Sequence, residues 1–256
     1  MHIAITGVAT GIGAEVATKL KSQGHTVTGF DIAKPEKNVD EFIKLDLSDP
    51  DSINSVITDL KGPFDALINN AGLPPRVGLE EKILLVNFIG MHSFLNGMLS
   101  KLTNGASIVN TSSRAGAMWQ ENLSQVKKLI KLDTRDLKDF IVSENIDHVR
   151  AYNLSKEAII VLTIARTEEL LSRGFRINSI CPAAVSTEIL KDFTNAFGEK
   201  VVKNIARAGR AALPAEVADS IIYLTSPQSA WIRGQNITID GGMSAMITTD
   251  MLELNT

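Results

Sequence analysis

The chain has 256 residues, 44% of them hydrophobic and 21% charged, which suits one large globular domain able to bury its core without disulfide or metal staples. Its 26 basic against 29 acidic side chains give a net charge of −3, with no long run of either sign; this excludes the clustered basic surface that nucleic acid or an anionic membrane requires. Cys181 is the single cysteine, which excludes an intrachain disulfide and a thiolate cluster, and the four histidines show no ligand spacing, so no metal is expected.

Short β-rich runs alternate with longer segments of helical period. Ile3 to Thr6 predicts a strand, a glycine loop follows, and Gly11 to Gln23 predicts a helix with Ile12, Val16 and Leu20 on one face and Gly24 as its stop. Thr26 to Asp31 and Phe42 to Asp46 predict the next strands. Asp49 to Lys61 carries the helical stripe Ile53, Val56, Ile57 and Leu60, and Ala66 to Asn69 predicts a fourth strand. A helical pattern runs from Leu79 to Leu102 and a fifth strand from Ser107 to Ser112. A long helix from Ala151 to Arg173, a strand from Arg176 to Cys181, a helix from Pro214 to Thr225 and a strand from Gln235 to Asp240 close the series. This alternation implies βαβ units: an α/β fold with a doubly wound, seven-stranded parallel sheet, in one domain over residues 1–256. Ligands of such a sheet bind at the carboxyl ends of its strands. No apolar run long enough to span a bilayer and no export signal are read, so the cytoplasm is the expected compartment.

The glycine loop Thr6-Gly7-Val8-Ala9-Thr10-Gly11-Ile12-Gly13 sits between the first strand and the first helix. Three glycines alone are a weak signal. Placed there, they let the backbone approach a pyrophosphate while the free N–H groups of the helix start stabilise its charge. Asp31 ends the second strand, near the spacing at which an acid meets the adenosine ribose hydroxyls. A carboxylate there repels a 2′-phosphate, and the loop has no Lys or Arg to bind one, so NAD(H) is favoured over NADP(H). An Asp that merely caps a turn is the plainer alternative.

Tyr152 and Lys156 lie four apart at the start of the long helix, on one face. A free tyrosine titrates near ~10, and a neighbouring ammonium favours the phenolate, which would make Tyr152 a general acid–base. The pair alone is unremarkable. Together with Thr6 to Gly13, Asn69-Asn70-Ala71-Gly72, Ser113 and Asp240-Gly241-Gly242, however, it makes the chain resemble the short-chain dehydrogenase/reductase family over nearly its whole length.

The resemblance implies a Rossmann fold and roles residue by residue. Tyr152 would exchange the substrate proton, Ser113 would hydrogen-bond the substrate oxygen, Lys156 would hold the nicotinamide ribose and Asn87 would hold a water that extends the proton relay. Gly7, Thr10, Gly11, Ile12 and Gly13 would cradle the cofactor, with Asp31 at its ribose and Asp46 and Leu47 at its adenine. Asn69, Ala71 and Gly72 would lie beneath the adenosine ribose, and Val185 and Thr187 would hold the carboxamide. Where the family usually has Pro-Gly, this chain has Pro182-Ala183, which adds a methyl beside the nicotinamide.

Two departures resemble the branch that holds bacterial 3α-hydroxysteroid dehydrogenase/carbonyl reductase and coniferyl-alcohol dehydrogenase. The segment from Gly72 to Asn87 is short, and Ser113 and Tyr152 lie 39 positions apart, leaving a helical insertion at about 120–148. The resemblance therefore implies an alcohol/carbonyl oxidoreductase acting on a small aromatic or alicyclic, steroid-like substrate. It implies a homodimer or altered homotetramer too, because the insertion precedes the helix through which many relatives assemble. A lid is expected at about 188–208, where Ile189, Leu190, Phe193 and Phe197 either line an apolar pocket with Met118 and Trp119 or pack in the core. Arg76 and Arg114 are read as solvated, with contact to an acidic group on a substrate as the alternative. Enoyl reduction on the same scaffold and a catalytically silent NAD(H)-binding sensor or scaffold are the competing functions; the set Asn87, Ser113, Tyr152 and Lys156 weighs against both.

Overall fold

The apolar runs pair as seven parallel strands, and helices cover both faces of the sheet. The computed structural model describes residues 1–254. In chain order the elements are β1 (His2–Thr6), α1 (Gly11–Ser22), β2 (Thr26–Asp31), β3 (Glu41–Lys44), α2 (Pro50–Asp59) and β4 (Phe64–Asn69). Then follow α3 (Glu80–Leu84), a π-helical turn (Leu85–Gly90), α4 (Met91–Met98), β5 (Leu102–Thr111), α5 (Leu123–Ile130), α6 (Leu137–Ser143), α7 (His148–Ala165) and α8 (Thr167–Ser172). The chain continues through β6 (Arg176–Pro182), α9 (Leu190–Phe197), α10 (Glu199–Arg207), α11 (Pro214–Thr225), β7 (Asn236–Ile239) and α12 (Met243–Met251).

The strand order is β3-β2-β1-β4-β5-β6-β7, all parallel. The order reverses between β1 and β4, so a crevice opens there at the carboxyl ends of the strands. Side chains alternate across the sheet. Ala4, Leu67 and Ile108 join the core beneath α3, α4 and α7, whereas Ile3, Ile5, Ile68 and Val109 join that beneath α1 and α11. Burial on both faces is why these strands read as continuous apolar runs.

Several boundaries differ from the sequence expectation. β3 covers Glu41–Lys44 rather than Phe42 to Asp46, because Leu45 and Leu47 are buried from a loop and not from the ladder. The long helix starts at His148, where the Asp147 carboxylate caps the Arg150 amide at 2.7 Å, and breaks at Arg166 into α7 and α8. The continuous helical stretch Glu80–Lys101 spans 22 residues with mean hydropathy 1.4, long and apolar enough to cross a membrane, which the sequence reading did not anticipate. Its apolarity is that of a core helix, since Ile83, Leu84, Phe88, Phe94 and Leu95 are buried in the main core.

The insertion forms α5 and α6, which bury Val126, Leu129, Leu137 and Phe140. α5 packs along α7 and α6 against α3. A polar network fastens the first contact. Glu157 of α7, almost fully buried, accepts two hydrogen bonds from Arg150 at 2.9 and 2.6 Å and one from Asn122 at 2.8 Å, while Arg150 Nε donates to Gln125 at 2.6 Å.

Candidate active site

A cleft of about 960 Å³ lies at the carboxyl ends of the strands, where the order of the sheet reverses. Its floor at one end is the glycine loop. Gly7, Thr10, Gly11 and Ile12 line it, but Gly13 does not: a Cβ on Gly13 would lie 1.9 Å from the Gly7 carbonyl oxygen, so this glycine lets α1 close onto β1. Thr10 caps α1 without a side-chain hydrogen bond, and no acidic residue stands in the first turn. The first amides of α1 therefore face the cleft without a side-chain acceptor, an arrangement that fits a pyrophosphate.

The adenosine end is bounded by Asp31, Asp46 and Leu47. Asp31 Oδ2 accepts from the Ala9 amide at 3.0 Å and Oδ1 from Ala33 at 3.1 Å, so the loop itself holds the carboxylate. The Ser48 hydroxyl, 2.6 Å from Asp46 Oδ1, keeps that carboxyl below the ordinary carboxylate value. Leu47 is seated against the π-turn: a Cβ on Gly90 would lie 1.8 Å from its carbonyl oxygen.

Of the Asn69 to Gly72 run, Ala71 and Gly72 line the cleft and Asn69 does not. The Asn69 amide turns into the sheet and donates to Asn110 Oδ1 at 2.9 Å; its neighbour Asn70, within the same expected stretch, faces the cleft instead. Asn69 is the last residue of β4, whereas Asn70 lies beyond it and its side chain donates to the Gly7 carbonyl at 3.3 Å.

Ser113, Tyr152 and Lys156 meet in the middle of the cleft. Lys156 Nζ donates to the Thr111 carbonyl at 2.9 Å and stands 5.7 Å from the centre of the Tyr152 ring. Burial brings the Lys156 ammonium down to about 8. Burial also raises the Tyr152 phenol, an effect that a hydrogen bond with Ser113 opposes. The sequence expectation is a phenol lowered by its lysine neighbour; here the ammonium is turned to the Thr111 carbonyl and desolvation of the phenol outweighs it.

Asn87 stands in the π-turn behind these groups and does not line the cleft. Its Oδ1 accepts from the Leu73 amide at 2.7 Å, and its Nδ2 donates to the Leu73 carbonyl at 3.0 Å and to Ser155 Oγ at 3.3 Å. A Cβ on Gly72 would lie 3.3 Å from Asn87 Oδ1 and 3.5 Å from Lys156 Nζ, so the bare glycine keeps the space between them open. Val185 and Thr187 line the wall beyond β6 together with Pro182 and Ala183.

Residues 1–125 match the family model described as short chain dehydrogenase, and residues 139–244 match one described as enoyl-(acyl carrier protein) reductase. The coniferyl-alcohol dehydrogenase of Pseudomonas sp. (strain HR199 / DSM 7063) is 35% identical over 95% of this chain and 96% of its own. The 3-alpha-hydroxysteroid dehydrogenase/carbonyl reductase of Comamonas testosteroni is 30% identical over 96% and 97%. A crystal structure of the 3-alpha-hydroxysteroid dehydrogenase from Pseudomonas sp. B-0831 complexed with NADH superposes with a TM-score of 0.86 at 29% identity, covering 96% of this chain and 98% of that one. The chain belongs to the short-chain dehydrogenase/reductase family.

As a member of that family it carries further cleft residues that the sequence reading missed. Met243 and Ile247 of α12 line the cleft. The helix is anchored by Asp240, whose carboxylate accepts from the amides of Gly242 at 3.0 Å and Ser244 at 2.8 Å and from the Ser244 hydroxyl. The acid and serine four positions apart were the available signal. Ile189, Phe193 and Phe197 line the cleft and Leu190 does not; Phe193 and Phe197, partly buried, also pack against the main core, so the stripe is cavity wall on one side and core contact on the other. Met118 joins the wall, but Trp119 does not. Arg76 is paired with Asp192, Arg114 lines the cleft 3.8 Å from Asp240, and Cys181 is buried with its thiol on Asn236 Oδ1.

Proposed function

We propose that this short-chain dehydrogenase/reductase interconverts a secondary or allylic alcohol and its carbonyl compound with NAD(H), on a small aromatic or alicyclic, steroid-like substrate. The observation that carries this reading is Tyr152, Ser113 and Lys156 brought together in one largely apolar cleft, with Lys156 Nζ 5.7 Å from the Tyr152 ring. A bound nicotinamide supplies or takes the hydride. The residues of the chain do the rest. In the reducing direction Ser113 orients the carbonyl oxygen and Tyr152 gives it the phenolic proton. In oxidation Tyr152 must take that proton, and Lys156 stabilises the phenolate. Lys156 is also the donor for a ribose hydroxyl, and Asn87 extends the proton path behind it.

Gly7, Thr10, Gly11 and Ile12 form the pyrophosphate end, with Gly13 closing α1 onto β1 behind them; Asp46, Leu47, Ala71 and Gly72 lie along the adenosine, with Asn69 behind them in the sheet, and Val185 and Thr187 at the carboxamide. Asp31 sets the preference for NAD(H), since a 2′-phosphate would meet a carboxylate already engaged by two amides. Oxidation of alcohols with NAD⁺, lost in Tyr152→Phe while cofactor binding persists, tests the assignment.

The family model over residues 139–244 keeps enoyl reduction in view as a second reading. Ser113 at the Tyr152 phenol favours a carbonyl oxygen as the polarised atom.

A further inference from the structure

α9 lies over the cleft with none of its residues fully buried, and it meets the main core through the partly buried rings of Phe193 and Phe197. One side chain from the platform below also reaches it. Arg76 donates through Nε to Asp192 Oδ1 at 3.0 Å and through Nη2 to Oδ2 at 2.8 Å. The next residue of α9, Phe193, meets the Tyr152 ring edge-on, with centroids 5.2 Å apart and planes at 69°. Phe197 lies one turn on, nearly parallel to Phe193 at 6.4 Å and 7°. Arg76 stands in a segment pinned from the other side, because both backbone groups of Leu73 are held by the Asn87 amide and the Arg76 carbonyl accepts from the Leu79 amide at 3.2 Å. A continuous set of contacts thus runs from the π-turn through Leu73, Arg76, Asp192 and Phe193 to Tyr152. At its far end α10 is fastened separately, by Arg207 to Asp250 of α12.

We propose that Arg76 is a positioning residue and a determinant of substrate specificity: by its two-point grip on Asp192 it seats Phe193 edge-on beside Tyr152, fixing the width of an aromatic-walled slot for a flat, ring-bearing alcohol or carbonyl compound. The inference rests on the assignment of Tyr152 as the acid–base.

An exposed ion pair contributes little to global stability. Paired, planar hydrogen bonds restrict orientation, however, and here they restrict a helix whose contact with the core is made by two partly buried rings. Loss of the grip therefore loosens α9 without unfolding the protein. A flat ring gains most from an edge-on Phe193, because aromatic pairs favour offset or edge-to-face packing.

The test compares the wild type with Arg76→Ala, Asp192→Ala and the charge-swapped Arg76→Asp/Asp192→Arg double variant. Amide exchange is read over residues 190–207, and steady-state kinetics with NAD⁺ use cinnamyl alcohol and cyclohexanol. Both single variants should speed exchange in α9 relative to α11 and raise KM for cinnamyl alcohol by about three- to fivefold. KM should change more than kcat, cyclohexanol should be affected less, and the swapped pair should recover most of the loss. Singles that match the wild type in both exchange and KM would overturn the proposal, as would a swapped pair no better than the singles. If the wild type oxidises neither alcohol, the functional assignment fails for these substrates, and the exchange measurement still decides whether Arg76 holds α9.

Discussion

Lys156 and Tyr152 are both buried, and burial moves their two titrations in opposite directions. Lys156 falls to about 8, whereas an unfolded lysine titrates near ~10.4. Between those values the unfolded chain binds more protons than the folded one, so this group makes the protein more stable as pH rises through about 8 and upward. The raised Tyr152 phenol does the reverse above ~10, where the unfolded chain loses its proton first. Lys156→Met should flatten the rise in melting temperature between about pH 8 and pH 10, as measured by thermal unfolding at closely spaced pH values. An undiminished rise in the variant would mean that another group titrates there. At this scale the sequence showed which residue types carry the chemistry, and the folded chain decided which way they face. Asn69 turns into the sheet and Asn70 out, a difference that depends on where the strand ends. Likewise the phenol is raised and not lowered, because spacing along a helix places the lysine but says nothing of the water removed around both groups.

Elements were legible where burial is simple. Strands covered on both faces read as apolar runs, and α11 was found with both its ends because Pro214 opens it and an apolar stripe fills it. Irregular backbone was not legible. The π-turn that sets Asn87 against Leu73 has no signature in the apolar pattern of Leu85–Gly90, and it brings Gly90 against the Leu47 carbonyl of a loop distant in sequence. The break at Arg166 was hidden in the same way by an unbroken helical pattern. The insertion was seen as two apolar stripes, but its fastening to the catalytic helix through Glu157 and Arg150 was not. Glu157 is 1% exposed and Arg150 only partly buried, so removing the carboxylate leaves a half-desolvated guanidinium beside α5. Glu157→Ala should cost about 2–3 kcal/mol of unfolding free energy by denaturant titration. A change below about 0.5 kcal/mol would show that the network holds the insertion without stabilising it.

On the scale of the whole molecule, one parallel sheet brings residues from widely separated parts of the chain to its carboxyl edge, from Thr6 to Ile247. That convergence is why widely separated motifs could be read together before any contact was known. With α5 packed along α7, the exposed side of that helix is narrowed, and we propose a homodimer or an altered homotetramer that assembles without the bare α7 face. Sedimentation should show a species larger than 27.7 kDa, whereas a monomer at micromolar concentration would contradict it. The C-terminal α12 completes the cleft over the end of β7, so the site spans nearly the entire chain.

The most direct measurement is absorbance of the reduced cofactor during alcohol oxidation, with NAD⁺ and NADP⁺ in parallel, over aromatic allylic, alicyclic and steroid alcohols, for the wild type and Tyr152→Phe. Turnover should be faster with NAD⁺ than with NADP⁺ and should fall by about 10³-fold in the variant, while NADH binding is retained. Turnover undiminished in Tyr152→Phe, or cofactor binding with no oxidation of any alcohol in the panel, would contradict the central claim that Tyr152 drives alcohol–carbonyl chemistry here.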